Sequence, residues 1–243
     1  MLEKISYGER GKIGLIYPNT GWVMEPEFFA MAPTGVNIIT TRIKLGEVTA
    51  DNIKRLSENV EEAAGLLDEA QADVIVLGCT SGSFICGAGY DQEIMKKIRS
   101  ASRPNVKATT TATAVVRAIH AFGASKIAVG APYINEVNQC AARFLEAHGM
   151  EITKFVGLGL SNDKEINSLT RNKIKQLIRD ANTSDAEMVV LLCTSIKGVD
   201  ILEEMEQELG KPVITAIQAT FWDCLNLIDI KKEVRGFGSL FWH

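Results

Sequence analysis

The chain has 243 residues, of which 46% are apolar and 23% are charged, and its formal net charge at pH 7 is −4. This balance is typical of a globular protein with a large core, and the length suits one large domain or two lobes of roughly 110 residues. The charge argues against nucleic acid or an anionic membrane as a partner. The sequence shows neither a run of roughly 20 apolar residues nor a secretory signal, so we expect a cytoplasmic protein without a membrane segment.

Short apolar runs alternate with amphipathic stretches along the chain. In the first half this pattern predicts strands over 12–17, 36–41, 74–77 and 106–111, and helices over 51–71, 94–98 and 113–122. In the second half it predicts strands over 126–129, 152–156, 188–192 and 213–216, and helices over 135–148, 165–181, 199–209 and 220–227. Such alternation predicts parallel sheets, here two of four strands each, that bind ligands beyond the carboxyl ends of the strands.

The pattern indicates an α/β protein with two lobes and no low-complexity linker between them. We expect a first lobe over residues 1–115, completed by the C-terminal segment 220–243, and a second lobe over residues 116–219. The basic stretch 231–235 is the part that we expect to cross back onto the first lobe.

Two pairs of segments repeat at one spacing. Residues 72–81 (ADVIVLGCTS) match residues 186–195 (AEMVVLLCTS), and residues 12–18 match residues 126–132, in both cases 114 positions apart. Two segments that share one offset indicate a duplicated lobe. If the lobes face each other, Cys79 and Cys193 lie across one cleft and can act on both faces of a small substrate.

Cys79 and Cys193 each follow an apolar strand and precede a polar turn and a predicted helix. A free thiol has a pKa of about 8.5, and a helix N-terminus or backbone N–H groups lower that pKa and raise the reactive fraction. We therefore expect both to be catalytic. The chain has no CxxC pair and no metal-ligand histidine spacing, so we expect neither a metal site nor a disulfide framework. The remaining cysteines are interpreted as ordinary buried residues: Cys86, Cys140 and Cys224.

Polar residues follow the same strands. The hydroxyl groups that follow the two cysteines can hold a carboxylate or cap a helix, and these are Thr80, Ser81, Thr194 and Ser195. Asn19 and Tyr133, at the ends of the first strand of each half, can donate hydrogen bonds to an oxyanion, although each suits a turn as well. Asn162 lies at a third polar tip, where capping is the alternative.

Several common enzyme classes lack their signatures in this sequence. None of the three histidines lies beside a repeated cysteine in the sequence, so the Cys–His arrangement of cysteine proteases is not indicated. The first strand is not followed by a dinucleotide-binding glycine pattern, and no Walker-type phosphate loop occurs. We therefore expect no cofactor.

With these residues in view, the chain resembles the aspartate/glutamate racemase superfamily, and within it the branch of maleate cis–trans isomerases and arylmalonate decarboxylases. The resemblance spans most of the chain. Its carriers are the segments 14–19 (GLIYPN), 78–84 (GCTSGSF), 131–138 (APYINEVN), 192–195 (LCTS) and 209–222 (LGKPVITAIQATFW).

The resemblance implies two Rossmann-like lobes related by a pseudo-twofold axis, with a cofactor-free site in the cleft between them. It also implies residue roles. Cys79 and Cys193 match the catalytic cysteines of the isomerases, Tyr133 a tyrosine that contacts a substrate carboxylate, and Asn19 and Asn162 two asparagines of the isomerase site. The Thr and Ser residues after each cysteine lie where the family holds carboxylate oxygens.

Two departures from related patterns bear on the reaction. Amino-acid racemases of the superfamily typically have histidine after the second Cys-Thr pair, where this chain has Ser195. The decarboxylases have glycine where this chain has Cys79, because decarboxylation needs one proton donor. The phrase from Gly78 to Ser81 otherwise resembles the decarboxylases more than the isomerases.

The leading hypothesis is a cofactor-independent isomerase of a small carboxylate, with maleate as the first candidate, that uses both cysteines. The alternatives are a two-base racemase of a hydantoin or amino acid and an arylmalonate-type decarboxylase. A further alternative from another class is a catalytically silent module that binds small carboxylates. A homodimer is also compatible with the sequence.

Overall fold

The computed structural model describes residues 7–44, 59–230 and 234–243. The beginning of the helix predicted over 51–71 and most of the stretch 231–235 lie outside the described residues. Within them, no helix is long and apolar enough to cross a membrane.

The first half of the chain alternates strands and helices from its first described strand onward. Its elements are β1 (Gly11–Pro18), α1 (Met24–Met31), β2 (Val36–Ile43), α2 (Val60–Glu69), β3 (Val74–Leu77), α3 (Thr80–Phe84), α4 (Tyr90–Ser100), β4 (Lys107–Thr110) and α5 (Thr111–Ala121). Sequence patterning missed α1 because its apolar residues are not confined to one face. It also missed α3, which has only five residues.

The second half repeats this plan and ends in a short C-terminal turn. Its elements are β5 (Lys126–Tyr133), α6 (Asn135–Ala147), β6 (Glu151–Leu160), α7 (Asp163–Asn167), α8 (Arg171–Ala181), β7 (Met188–Leu191), a 3₁₀ turn (Val199–Ile201), α9 (Leu202–Leu209), β8 (Val213–Thr215), α10 (Ala216–Leu227) and a 3₁₀ turn (Ser239–Trp242). The single helix predicted over 165–181 is two helices. The second begins after Thr170, whose side chain accepts a hydrogen bond from the Lys173 N–H.

The strands form two parallel sheets with equivalent strand orders, β2-β1-β3-β4 and β6-β5-β7-β8. The predicted α/β class with two four-stranded parallel sheets is therefore confirmed. The central strands β3 and β7 are buried at every position, as expected for strands covered by helices on both faces. Because all strands of a sheet run in one direction, the residues that follow β1 and β3 meet at one edge, and those that follow β5 and β7 meet at another.

The last long helix, α10, packs on the first half of the chain. Phe221 of α10 contacts Phe28 of α1 edge to face, with ring centroids 4.9 Å apart. Ile217 of α10 belongs to the same apolar cluster. This packing supports the assignment of segment 220–243 to the first lobe, but the lobe boundaries stay a prediction, and position 115 lies inside α5.

Candidate active site

A small cavity lies between the two sheets, where the ends of β1, β3, β5 and β7 converge. Cys79 and Cys193 both line it, so the structure brings together the two repeated thiols. The cavity leaves about 40 Å³ for the centres of water-sized molecules, and one water needs about 10–15 Å³ on this measure. It therefore suits a small substrate.

Cys79 is the N-cap residue of helix α3. Its Sγ accepts a hydrogen bond from the Gly82 N–H at 3.3 Å and lies 3.9 Å from the Ser81 hydroxyl. The preceding residue, Gly78, packs too closely against the core to carry a side chain. A Cβ on Gly78 would lie 2.6 Å from Cδ1 of Leu15 and 2.7 Å from Sδ of Met24. The thiol is thus fixed at a helix N-terminus, as the sequence predicted.

Cys193 has a different backbone from Cys79 despite the shared Cys-Thr-Ser sequence. Its φ is 104°, a left-handed conformation that is unusual for a residue with a side chain, whereas φ of Cys79 is −144°. Its Sγ accepts the Ser195 N–H at 3.3 Å. A turn follows, and the first helical residue is Val199, so the helix N-terminus expected beside Cys193 is absent. Strained backbone of this kind is concentrated at functional sites.

Both thiol pKa values are raised, which corrects the expectation of activated thiols in the free protein. Burial raises the pKa of Cys79 to about 11, although the hydrogen bonds from Gly82 and Ser81 oppose it. Burial likewise raises the pKa of Cys193 to about 12, against hydrogen bonds from Ser195 and Tyr133. Desolvation outweighs hydrogen bonding here because both side chains are almost fully buried. The resting thiols are therefore neutral.

The hydroxyl residues after each cysteine also line the cavity. Thr80 is 2% exposed, and its Oγ1 has no hydrogen-bond partner, which leaves a buried polar atom for a ligand. The Thr194 hydroxyl donates to the Gly78 carbonyl at 3.3 Å, and the Ser195 hydroxyl donates to Oδ1 of Asp163 at 3.3 Å. Neither Thr80 nor Ser81 caps α3, because the Cys79 thiol does so.

Two tyrosines complete the buried wall. Tyr133 lines the cavity beside the Cys193 and Thr80 side chains, and burial raises its pKa well above the usual value. Tyr17, at the end of β1, donates to the Thr194 carbonyl at 2.9 Å and accepts the Met24 N–H at 3.2 Å. Sequence reasoning missed Tyr17. The apolar pattern of β1 marks it as buried but gives no indication of its polar partners.

The two predicted asparagines do not line the cavity. Asn19 is exposed beside it, and its N–H bonds the Ile43 carbonyl at 2.9 Å. Asn162 is also exposed, and its Oδ1 caps α7 by accepting the Glu165 N–H at 3.0 Å, the alternative considered from sequence. The next residue, Asp163, faces the cavity instead. Its adjacency to a polar strand end was the signal that could have identified it.

The charge of the lining limits its chemistry. Among the described residues that line the cavity there is no lysine or arginine, and Asp163 is the one residue with a carboxyl group. An anionic substrate would therefore be held by hydroxyl and N–H donors rather than by a salt bridge. Within the described residues, no group of three His, Cys, Asp or Glu side chains is placed to hold a metal ion. The arrangement can deliver or remove protons, or form a bond to carbon, through two thiols.

Comparisons with known proteins agree with this geometry. Residues 13–241 match the sequence model of the arylmalonate decarboxylase family. The chain is 26% identical over 241 residues to a maleate isomerase of Geobacillus stearothermophilus, with 94% of this chain and 96% of that protein covered. It is 28% identical over 232 residues to an arylmalonate decarboxylase of Bordetella bronchiseptica, with 94% and 95% covered.

Solved structures share the fold. A Nocardia farcinica maleate cis–trans isomerase variant with a covalently bound succinylcysteine intermediate superposes with a TM-score of 0.89 at 21% identity, covering 95% of this chain and 98% of that one. The resemblance to the maleate isomerase and arylmalonate decarboxylase branch, expected from the Cys-Thr-Ser phrases, is confirmed by these matches.

Proposed function

Since the chain belongs to the arylmalonate decarboxylase family, we propose that it is a cofactor-independent cis–trans isomerase of maleate or a close derivative of maleate. One observation carries the proposal: two thiols, from equivalent positions of two equivalent sheets, line the same cavity. Curated relatives of nearly equal length that are named maleate isomerase support it.

The proposed reaction begins with covalent addition. As substrate fills the cavity, the Cys79 thiol gives its proton to solvent water, and the resulting thiolate forms a bond to one alkene carbon. The electron pair of the double bond moves to the neighbouring carbon and into the carboxylate that this carbon carries. The former double bond is then single and can rotate.

Cys193 acts as the proton donor and acceptor for the intermediate. Its thiol gives a proton to the carbon that received the electron pair, and after rotation the Cys193 thiolate takes a proton back from that carbon. The electron pair left on that carbon re-forms the double bond as the bond between Cys79 and carbon breaks. The trans alkene leaves, and the Cys79 thiolate takes a proton back from solvent water. Neither thiol is consumed. We assign addition to Cys79 because its Sγ caps the N-terminus of α3 and accepts the Gly82 N–H, which stabilises a thiolate, whereas no helix begins beside Cys193.

Charge that develops on the substrate carboxylate needs hydrogen-bond donors. The buried Thr80 hydroxyl, which has no partner, and the Tyr133 hydroxyl, which touches the Cys193 thiol, are placed to supply them. Each such donor is worth roughly 3 kcal/mol to a transition state of this type. The raised tyrosine pKa keeps the Tyr133 hydroxyl protonated and able to donate.

A decarboxylase of a disubstituted malonate is the second candidate, and the family match favours it. One thiol, Cys193, would suffice for that reaction, because it replaces a carboxylate by a single proton. The presence of a second thiol, Cys79, in the same cavity favours isomerisation over decarboxylation. It also favours an enzyme over a passive binding module. A two-base racemase would also use both thiols.

Proton NMR in deuterated buffer distinguishes these reactions in one assay. The proposal predicts that maleate, or its monoamide, converts to the trans isomer. Release of carbon dioxide from arylmalonates without isomerisation would establish the decarboxylase, and deuterium exchange at a saturated stereocentre would establish the racemase. Failure to isomerise any cis alkene carboxylate would refute the proposal.

We also propose that the protein works in the cytoplasm as a homodimer, without nucleic acid as a partner. The side chains of Trp22 and Phe29, seven residues apart on α1 and the turn before it, are 52% and 56% exposed and support a self-contact. Light scattering of the purified protein tests the dimer.

A further inference from the structure

We propose that Asp163 makes the cavity selective for a substrate with one carboxylate and, at its other end, an N–H donor such as a primary amide. The inference rests on the proposed function for the reaction, and it narrows the substrate from a dicarboxylate to its monoamide. It concerns the charge of the ligand that the cavity binds, so it can be tested by a binding measurement without turnover.

The position of Asp163 is the first support. The residue follows the cap of α7, lines the cavity and is only partly exposed to solvent. Its Oδ1 accepts the Ser195 hydroxyl at 3.3 Å, and its Oδ2 accepts the Thr20 hydroxyl. These bonds hold the carboxylate in place. Because each carboxylate oxygen can accept two hydrogen bonds, the group can still accept an N–H from a ligand.

The charge around Asp163 is the second support. No lysine or arginine is found among the described residues that line the cavity, so nothing there offsets the carboxylate. Asp163 is also close enough to both catalytic thiols to raise their pKa values by charge repulsion. A dianion in this cavity would meet the same repulsion, whereas an amide would meet a hydrogen-bond acceptor.

The third support is that neither predicted asparagine lines the cavity. An asparagine amide could donate to a second substrate carboxylate, but Asn19 and Asn162 lie outside the lining. Asp163 and Tyr17 line the cavity instead, and the Tyr17 hydroxyl already donates to the Thr194 carbonyl. A carboxylate can be bound near Thr80, which has a free buried hydroxyl oxygen. Asp163 then remains as a hydrogen-bond acceptor for the rest of the substrate.

Saturated analogues that cannot isomerise give a binding test. Succinate and succinamate differ in one carboxylate replaced by an amide. By calorimetry at pH 7.5, we expect the wild type to bind succinamate at least 10-fold more tightly than succinate. In Asp163→Asn, which keeps the shape and removes the charge, we expect that ratio to fall at least 10-fold. The matched control Asp180→Asn, an exposed position on α8, should keep the wild-type ratio.

The outcomes separate the two proposals. Wild-type binding of succinate as tight as that of succinamate, no binding of either, or an unchanged ratio in Asp163→Asn would each overturn the role of Asp163. If Asp163→Asn does not fold, Asp163→Ser takes its place. The wild-type ratio still tests whether succinamate binds more tightly than succinate. Maleate and maleamate turnover is measured in parallel by NMR. Absent turnover with the expected binding ratio refutes the reaction alone, and efficient maleate turnover with tight succinate binding refutes the selectivity alone.

Discussion

The hydroxyl of Tyr17 donates a 2.9 Å hydrogen bond to the carbonyl oxygen of Thr194, a residue 177 positions away. The same hydroxyl accepts the Met24 N–H, so one buried side chain ties the end of β1, the start of α1 and the turn after Cys193 together. A residue of the first half of the chain therefore anchors the turn that follows the strained backbone of Cys193. Thiol geometry therefore depends on contact between the halves.

Tyr17→Phe should lower kcat at least 10-fold, because the turn that carries Cys193 loses its anchor. Two buried groups, the Thr194 carbonyl and the Met24 N–H, also lose a hydrogen-bond partner. Each loss costs about 1–3 kcal/mol of folding stability. Steady-state kinetics and thermal unfolding measure the two effects. Tyr7→Phe, at a position 68% exposed, is the matched control. Unchanged kcat in a variant that has lost stability would show that the bond is structural only.

Cys79→Ala should reduce isomerisation at least 1,000-fold while leaving circular dichroism and the melting temperature close to those of the wild type. The thiol is the proposed nucleophile, and its removal from a cavity wall leaves little unpaired apart from the Gly82 N–H. NMR of maleate and maleamate measures the rate. Cys86, which the sequence analysis interpreted as buried, is exposed and provides a control, since Cys86→Ala should retain full activity.

The two cysteines of the cavity should differ in the reaction that remains after either one is replaced. Cys193→Ala retains the nucleophile, so incubation with substrate should yield a covalent adduct on Cys79 that mass spectrometry detects. Cys79→Ala should give none. An adduct on Cys193 in the Cys79→Ala variant would reverse the assigned roles.

The labelling of Cys79 by iodoacetamide should keep accelerating well above neutral pH. Burial raises the pKa of this thiol from 9.0 to about 11, so its thiolate fraction rises about tenfold per pH unit up to about pH 10. Free cysteine, the control, should level off near its own pKa of about 8.5. Peptide mapping by mass spectrometry follows Cys79 separately from the other cysteines. A plateau below pH 9 would mean that the thiol is activated in the free protein.

Sequence patterns predicted the sheets well because their signals are local. The strands β3 and β7 are apolar at every position, and the spacing of 114 residues aligned the two thiols. The backbone of Cys193 could not be predicted in this way. The same Cys-Thr-Ser sequence begins a helix after β3 but a turn after β7. Local propensity does not explain the difference, because the glycine and serine that continue the first copy favour a helix less than the isoleucine and lysine that continue the second.

A position at a strand end was a useful but incomplete guide to the cavity lining. It identified Cys79, Cys193 and Tyr133, but Asn19 and Asn162 do not line the cavity, and Tyr17 was missed. Burial of Tyr17 follows from the apolar pattern, but its bond to Thr194 depends on how the halves meet. Likewise, Asn162 and Asp163 are adjacent and both polar. The one that caps α7 turns to the helix, which leaves the other to face the cavity.

Glu27→Gln should change how stability depends on pH. Glu27 of α1 accepts the Gly198 N–H at 2.8 Å and the Val199 N–H at 3.4 Å, and its other oxygen is buried without a partner. Burial raises its pKa from 4.5 to about 8 despite these bonds. The raised pKa contributes stability that is fully present below pH 4.5 and is lost as pH rises through 8.

Glutamine keeps the acceptor oxygen and removes this titration. We therefore expect the melting temperature of Glu27→Gln, relative to that of the wild type, to increase between pH 5 and pH 8, by an amount that corresponds to on the order of 3 kcal/mol. Thermal unfolding at four pH values in that range measures it. Glu62→Gln, exposed on α2, should show no such trend. Parallel stability curves for Glu27→Gln and the wild type would show that Glu27 is already ionised in the folded protein at pH 5.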